Sequence, residues 1–272
     1  MAGIWRRASA CFIDALLPSG CVVCAQPLRS ASALRPSAFC GECARALPWW
    51  RRVDGCPRCG ERSTRPSGCP RCLAMGSALQ TSHAALRYSG PIARWIPAIK
   101  RAEGRPAIAV ERAIGALADA LGERVAREAG GHIDLVTSLP LHAARQRERG
   151  FNQADALARR VAARLGRPFR PDLLERFRPT RPQASLRGEA RRENVRRAFR
   201  APRHLPGDPR VALVDDVLTT GATLEAAASA LLEAGALEVR GLALAATLPV
   251  TRRRPREGTR SRGAVTEGAG GS

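Results

Sequence analysis

The chain has 272 residues, 44% of them hydrophobic and only 4% aromatic, with a formal charge of +21 at pH 7. Length and apolar content suit one or two soluble domains with a sizeable core, and the lack of any apolar run of about 18 residues excludes a membrane-spanning helix. The positive excess is carried almost wholly by arginine, with Lys100 the only lysine, and it favours anionic partners, nucleic acid or phosphorylated metabolites alike.

The N-terminus, MAGIWRRASACFIDALLPSG, has a basic pair and a short apolar stretch. Asp14 interrupts that stretch and no small-residue cleavage pattern follows, so it reads as an amphipathic helix over residues 1–20 and not as an export signal. Ile13, Leu16 and Leu17 form its apolar side. A cytoplasmic location is the corresponding expectation.

All nine cysteines precede residue 73, and eight of them form four C-x2-C pairs. These are Cys21 and Cys24, Cys40 and Cys43, Cys56 and Cys59, and Cys69 and Cys72. Fifteen residues lie between the first two pairs and nine between the last two. Such knuckles present two thiolates to one tetrahedral ion, which points to a double zinc ribbon over residues 21–78. Disulfides need an oxidising compartment, and an iron–sulfur centre is the other use of this ligand set. Sequential pairing groups Cys21, Cys24, Cys40 and Cys43 around one ion and Cys56, Cys59, Cys69 and Cys72 around the other; interleaved pairing is the alternative. The segment is short of large apolar groups, so two structural Zn2+ ions, at about 10–16 kcal/mol of apparent binding energy each, would dominate its stability. Cys11 is left over as a small buried residue.

From residue 79 to 249 strands and helices alternate, the pattern of an α/β domain with a mainly parallel sheet. HAALRYSG reads as a strand and turn, and PIARWIPAIKRAEG as a helix begun by Pro91. A long amphipathic helix ends at Gly130 and Gly131. Ile133 to Leu139 form a strand that leads into Ser138, Leu139, Pro140 and Leu141. An arginine-rich loop follows, carrying Arg145, Arg147 and Arg149. A helix then starts near Gln153, with Ala156, Leu157, Val161 and Leu165 facing inward. Residues 170–199 are broken by Pro179 and Pro182 and dense in arginine, which suits a mobile flap over a polyanion or an exposed basic loop. Glu238 to Ala246 give a further buried strand, and the polar tail 250–272 reads as disordered.

The most informative stretch is RVALVDDVLTTGATL at 210–224. Val211 to Val214 are one short buried strand ended by Asp215 and Asp216. Thr219, Thr220, Gly221, Ala222 and Thr223 follow, and then a helix with Leu224, Ala227, Ala228, Leu231 and Leu232 on one face and Gly235 as its stop. A strand that opens into a helix N-terminus offers unpaired amides and a positive dipole end to a phosphate. Paired carboxylates beside that site suit ribose hydroxyls or Mg2+. An ordinary strand-end turn with a helix cap uses the same residue types.

The full string closely resembles the phosphoribosyl pyrophosphate (PRPP) loop of type I phosphoribosyltransferases. Together with the paired knuckles, SLPLHAARQRERGFNQADALA and TRPQASLRGEARRENVRRAF, it resembles the ComF family, associated with competence and DNA uptake. The resemblance spans nearly the whole chain except the tail. It implies a type I phosphoribosyltransferase fold behind a double zinc ribbon. Asp215 and Asp216 resemble the acids that contact the ribose of PRPP, Thr219 to Thr223 the loop around its 5′-phosphate, and Ser138 to Leu141 the pyrophosphate loop. Thr180, Gln183, Leu186, Arg191 and Asn194 match the family's flexible segment, although Ala190 stands where relatives often carry an acidic residue. The implied function is PRPP binding with Mg2+ and phosphoribosyl transfer to an unidentified acceptor. The alternative is a single-stranded nucleic-acid-binding accessory protein that uses the same site for regulation or for a 5′-phosphate. Single-stranded DNA and other competence proteins are the partners implied.

Overall fold

A computed structural model describes residues 20–28, 38–51, 55–60, 63, 65, 67–101, 108–128, 133–178, 195, 197–201 and 204–247. The leading segment with Cys11, the flexible-segment candidates Gln183, Arg191 and Asn194, and the tail lie outside these residues.

Two short helices, α1 (Gly41–Ala46) and α2 (Pro70–Met75), belong to the cysteine-rich front. Strand β1 (Thr81–Arg87) is followed by α3 (Ile92–Arg101) and α4 (Ile108–Glu128). Next come β2 (Leu135–Ser138), α5 (Ala143–Arg149) and α6 (Gln153–Leu165). Two short strands, β3 (Glu175–Arg176) and β4 (Phe199–Arg200), pair antiparallel with each other. The domain closes with β5 (Arg210–Leu218), α7 (Ala222–Glu233) and β6 (Glu238–Ala246).

Strands β1, β6, β5 and β2 lie in that order in one wholly parallel sheet. Burial follows the two-residue period of a strand. Ala212 and Val214 of β5 pack with Leu117, Leu121 and Val125 of α4 and Leu157 and Val161 of α6. Val211 and Leu213 point the other way, to Leu224, Ala227 and Leu231 of α7. Helices cover both faces, as an all-parallel sheet requires.

The front is not a detached bead. Trp50 N donates to Ala85 O at 3.0 Å and Arg87 N to Pro48 O at 2.7 Å, so residues 48–50 pair with the outer edge of β1. Phe39 meets Trp95 of α3 with ring centroids 6.1 Å apart. An edge that would otherwise present unpaired backbone groups is thereby closed.

Three local expectations are corrected. Strand β5 does not end at the acids: Asp215 stays in register with Ala243, and Leu218 with Ala246, because β6 continues alongside as a partner. HAARQRER is helix α5 and not a loop, capped by His142, whose Nδ1 accepts from Ala144 N at 3.3 Å, and ended by left-handed Gly150. On α6 the inward residues are Ala154, Leu157, Ala158, Val161 and Ala162, while Ala156 is exposed.

Candidate phosphoribosyl site

In an open parallel sheet, ligands bind beyond the carboxyl ends of the strands. A cavity of about 460 Å3 occupies that position here. Leu139, Pro140 and Leu141 line it after β2, Asp215 and Asp216 within β5, Thr219, Gly221 and Thr223 after β5, Thr247 after β6 and Tyr88 after β1. The acid pair and the glycine loop, nine residues at most along the chain, therefore face one hollow. Lys100 of α3, Arg145 and Arg149 of α5 and Arg176 of β3 complete its rim.

The acid pair is held asymmetrically. Asp216 is buried, and its Oδ2 lies 2.6 Å from Lys100 Nζ and accepts from Gln153 Nε2 at 3.1 Å. Asp215 has its carboxyl pushed up to about 7, first by burial and then by the charge of Asp216, with Lys100 pulling the other way. Two adjacent carboxylates seldom both ionise in a poorly solvated place, so the first proton is kept until a ligand or cation compensates the charge.

The loop after β5 turns through Gly221, whose φ of +70° is in the left-handed region. No side chain caps the first turn of α7, which leaves its amide end to the cavity, a suitable place for a phosphate. Thr220 does not line the hollow; its Oγ1 is buried without a hydrogen-bond partner. Ala222 is buried as the first residue of α7.

The loop after β2 is braced from α6. Ser138 Oγ donates to Asp155 Oδ1 at 2.5 Å, so this hydroxyl supports the loop without lining the cavity. Asn152 caps α6 by accepting from Ala154 N, while its Nδ2 donates to Leu139 O at 3.1 Å and to Asp155 Oδ1 at 2.7 Å. Arg145 and Arg149 are four residues apart on α5 and so share one face; both line the cavity, whereas Arg147 is exposed. Burial and the neighbouring Arg145 hold the Arg176 guanidinium below its ordinary pKa, and Asp215 opposes that shift. Guanidinium groups crowded in this way favour a polyanion between them.

Lys100, Arg176, Tyr88 and Thr247 were not singled out as site residues from the sequence. Lys100 had one signal, its uniqueness among 45 basic residues.

The eight knuckle cysteines gather as two sets, Cys21, Cys24, Cys40 and Cys43, and Cys56, Cys59, Cys69 and Cys72, with all sulfurs of a set within 4.8 Å of one another. A tetrahedral site with Zn–S of about 2.3 Å separates sulfurs by about 3.8 Å, and Cys24 and Cys40, like Cys59 and Cys69, have sulfurs 3.7 Å apart. Each set can hold one zinc ion. Cys40 and Cys69 each accept from the amide three residues on, at 3.4 and 3.5 Å, which orients the sulfurs inward. Among the described residues no helix is long and apolar enough to cross a membrane.

A twisted parallel sheet with an acid pair and a glycine loop at its carboxyl end defines a phosphoribosyltransferase-type domain. A family profile described as "Phosphoribosyl transferase domain" matches residues 150–262. The chain belongs to the ComF family. It is similar to DNA utilization protein YhgH of Salmonella typhimurium, 34% identical over 239 residues that cover 85% of this chain and 99% of the relative. It is also similar to Competence protein F of Haemophilus influenzae, 36% identical over 114 residues, 41% of this chain and 50% of that one. Among solved structures, a glutamine PRPP amidotransferase from B. subtilis, complexed with ADP and GMP, is 25% identical with a TM-score of 0.37, covering 55% of this chain and 30% of its own.

Proposed function

We propose that the chain binds PRPP in the cavity beyond β5 and transfers its phosphoribosyl group to an acceptor. The observation that carries this reading is the convergence of three chemically different walls on one hollow. Asp215 and Asp216 suit the ribose hydroxyls, the Thr219–Thr223 loop and the start of α7 suit the 5′-phosphate, and Arg145, Arg149, Arg176 and residues 139–141 suit the pyrophosphate.

In the reaction the C1–O bond breaks with its electron pair leaving on pyrophosphate. A lone pair of the acceptor forms the new bond to C1. Charge grows on the departing pyrophosphate, and preorganised guanidiniums beside it stabilise that change most. The acid pair holds the sugar and lies near positive charge that develops at C1. Asp215 loses its proton as ligand binds, since the ionised form accepts from hydroxyls at both oxygens and more strongly than the neutral acid.

The carboxylates supply hard oxygen donors of the kind Mg2+ takes, and the ion, when bound with PRPP, lends positive charge to the pyrophosphate oxygens. Thr219, Gly221 and Thr223 anchor the opposite end of the sugar, so the reactive carbon is held between the two. The cysteine sets suit a reducing compartment, and the reading places the protein in the cytoplasm with two structural zinc ions.

A second reading has support of its own. The charge of +21 and relatives named for DNA utilization and competence favour single-stranded DNA as a further partner, contacted through phosphates. The two readings separate by calorimetry. For the first, PRPP with Mg2+ binds at one site per chain, and ribose 5-phosphate and pyrophosphate each compete with it; heat-free titrations would sink it. For the second, affinity for an oligonucleotide falls steeply with salt, and a flat response counts against it.

A further inference from the structure

The second cysteine set is built against the back of the loop that faces the cavity. Gly60, which closes the knuckle CPRCG, has φ of +73°, and a Cβ there would lie 2.2 Å from Cδ2 of Leu218, the last residue of β5. Three residues on, Gly221 has φ of +70°, and a Cβ there would lie 2.5 Å from the carbonyl oxygen of Cys59. Gly221 thus lets its backbone approach that of Cys59 as no larger residue would, and Gly60, in the facing left-handed turn, admits the buried Leu218 side chain against the knuckle.

Other bonds fix the same junction. Ser82 N donates to Pro57 O at 2.6 Å. Glu225, in the first turn of α7, accepts from Ala78 N at 2.6 Å and from Ser77 Oγ at 2.9 Å. The connection that leaves the second set is therefore tied to the helix whose N-terminus faces the cavity. All four cysteines of this set are buried, whereas Cys24 of the first is exposed. No residue of either set lines the cavity, so any influence on a ligand passes through the loop.

We infer that the metal held by Cys56, Cys59, Cys69 and Cys72 fixes the conformation of the loop 218–223, so that its occupancy and the binding of a phosphorylated sugar are energetically coupled. Cys59 and Gly60 act as positioning residues for the phosphate subsite. A knuckle clamped by zinc presents the Cys59 carbonyl and the Gly60 Cα as a rigid rear wall. Freed of metal, that wall has no covalent restraint for its turn, and the loop loses the surface that sets Gly221. Coupling of this kind is reciprocal: the sugar phosphate tightens the metal by the factor by which the metal tightens the sugar phosphate. The inference rests on the proposed phosphoribosyl reading, and its test keeps the two apart.

The test uses the full-length, zinc-loaded chain with ribose 5-phosphate as probe. Absence of binding to the wild type, with PRPP also silent, would remove the phosphoribosyl reading and this inference with it. Given wild-type binding, competition with a chelator of known affinity is run with and without saturating ribose 5-phosphate. Expected is a tightening of one zinc ion by about 5- to 150-fold, the usual span of such couplings, with the other unaffected. The response persists in Cys24→Ser, in which the first set is disabled. Gly60→Ala, which keeps every cysteine, binds ribose 5-phosphate more weakly by a factor in that same range while its zinc content by mass spectrometry stays at two. Zinc affinities blind to the sugar phosphate, or undiminished affinity in Gly60→Ala, would overturn the inference while leaving the phosphoribosyl reading intact. Should Gly60→Ala fail to fold, the chelator competition on the wild type decides alone.

Discussion

Lys100 Nζ lies 2.6 Å from Asp216 Oδ2, across 116 positions of sequence, and it is the only lysine of the chain. A compact ammonium reaches a carboxylate pair as a point charge, without the planar fork of arginine. It thus offsets the repulsion between Asp215 and Asp216 in the ligand-free protein. Lys100→Met is expected to raise the titration midpoint of Asp215 above about 7, read by carboxyl-carbon NMR, and to weaken PRPP binding. Lys100→Arg restores the charge without the short contact, so it should recover the midpoint in part and the affinity less. An unmoved midpoint in Lys100→Met would show that the ion pair has no influence on the acids.

The raised midpoint of Asp215 makes a pH-dependent stability. Its carboxyl binds a proton in the folded chain up to about 7, whereas in the unfolded chain it does so only to about 3.8. Between these values the folded state holds more protons, so stability is fully present below the unfolded value and is lost as pH rises through the folded one. Asp215→Asn removes this loss. The variant is expected to match the wild type near pH 4 and to exceed it above pH 7 by on the order of 2–4 kcal/mol. Comparing the two chains at each pH by thermal melting cancels the contribution of the cysteines. Parallel curves would refute the assignment.

The same proton links to binding. If ribose hydroxyls take an ionised Asp215, PRPP affinity rises with pH from 6 to 8 and each binding event releases up to one proton. Calorimetry in two buffers of different ionisation heat measures that number. Proton release close to zero at pH 6 would mean that Asp215 stays protonated in the complex.

Asn152 joins α6 to the loop after β2 through Ala154 N, Leu139 O and Asp155 Oδ1. Asn152→Ala removes a helix cap and leaves a buried carbonyl unpaired, a cost of about 2–4 kcal/mol from the two effects. At this chain length that lowers the melting temperature by roughly 4–16 °C. PRPP affinity falls with it, because Leu139, Pro140 and Leu141 form the wall that the bond positions. Ser138→Ala is milder, since Asp155 keeps its bond from Asn152.

The two cysteine sets differ in exposure, and metal removal should follow. Cys24 is exposed and Cys40 and Cys43 half-buried, while Cys56, Cys59, Cys69 and Cys72 are all buried. Chelation in the absence of ligand is expected to be biphasic, with the first set emptied first. The second phase, not the first, carries the larger loss of melting temperature, because that set is wedged against β5 and α7. A single phase would show that the two sets open together.

The site was legible in the sequence where it is local. Residues 215–223 pass from strand to loop to helix within a few positions, and hydrophobic periodicity on either side frames them. The paired knuckles were legible for the same reason, since their spacing alone brings thiols together. What escaped depends on distance or on silence in the apolar pattern. Lys100 meets Asp216 only because β1 and α3 flank the same sheet end. Helix α5 has no apolar stripe, so its arginines read as loop until His142 and Gly150 show the ends. The extension of β5 past Asp215 requires Ala243, Ala245 and Ala246 as neighbours, which no local pattern announces. The junction of Gly60 with Leu218 joins two segments 158 positions apart.

The most direct measurement is calorimetric titration of the wild type and of the variant Asp215→Asn with Asp216→Asn, each with PRPP and Mg2+ at pH 8. Each charge-assisted hydrogen bond lost costs about 1.5–3 kcal/mol, so the expected weakening is roughly 10- to 150-fold or more. The folded state of the variant is verified by its melting curve. Equal affinity of the two proteins for PRPP would contradict a phosphoribosyl site built on these acids.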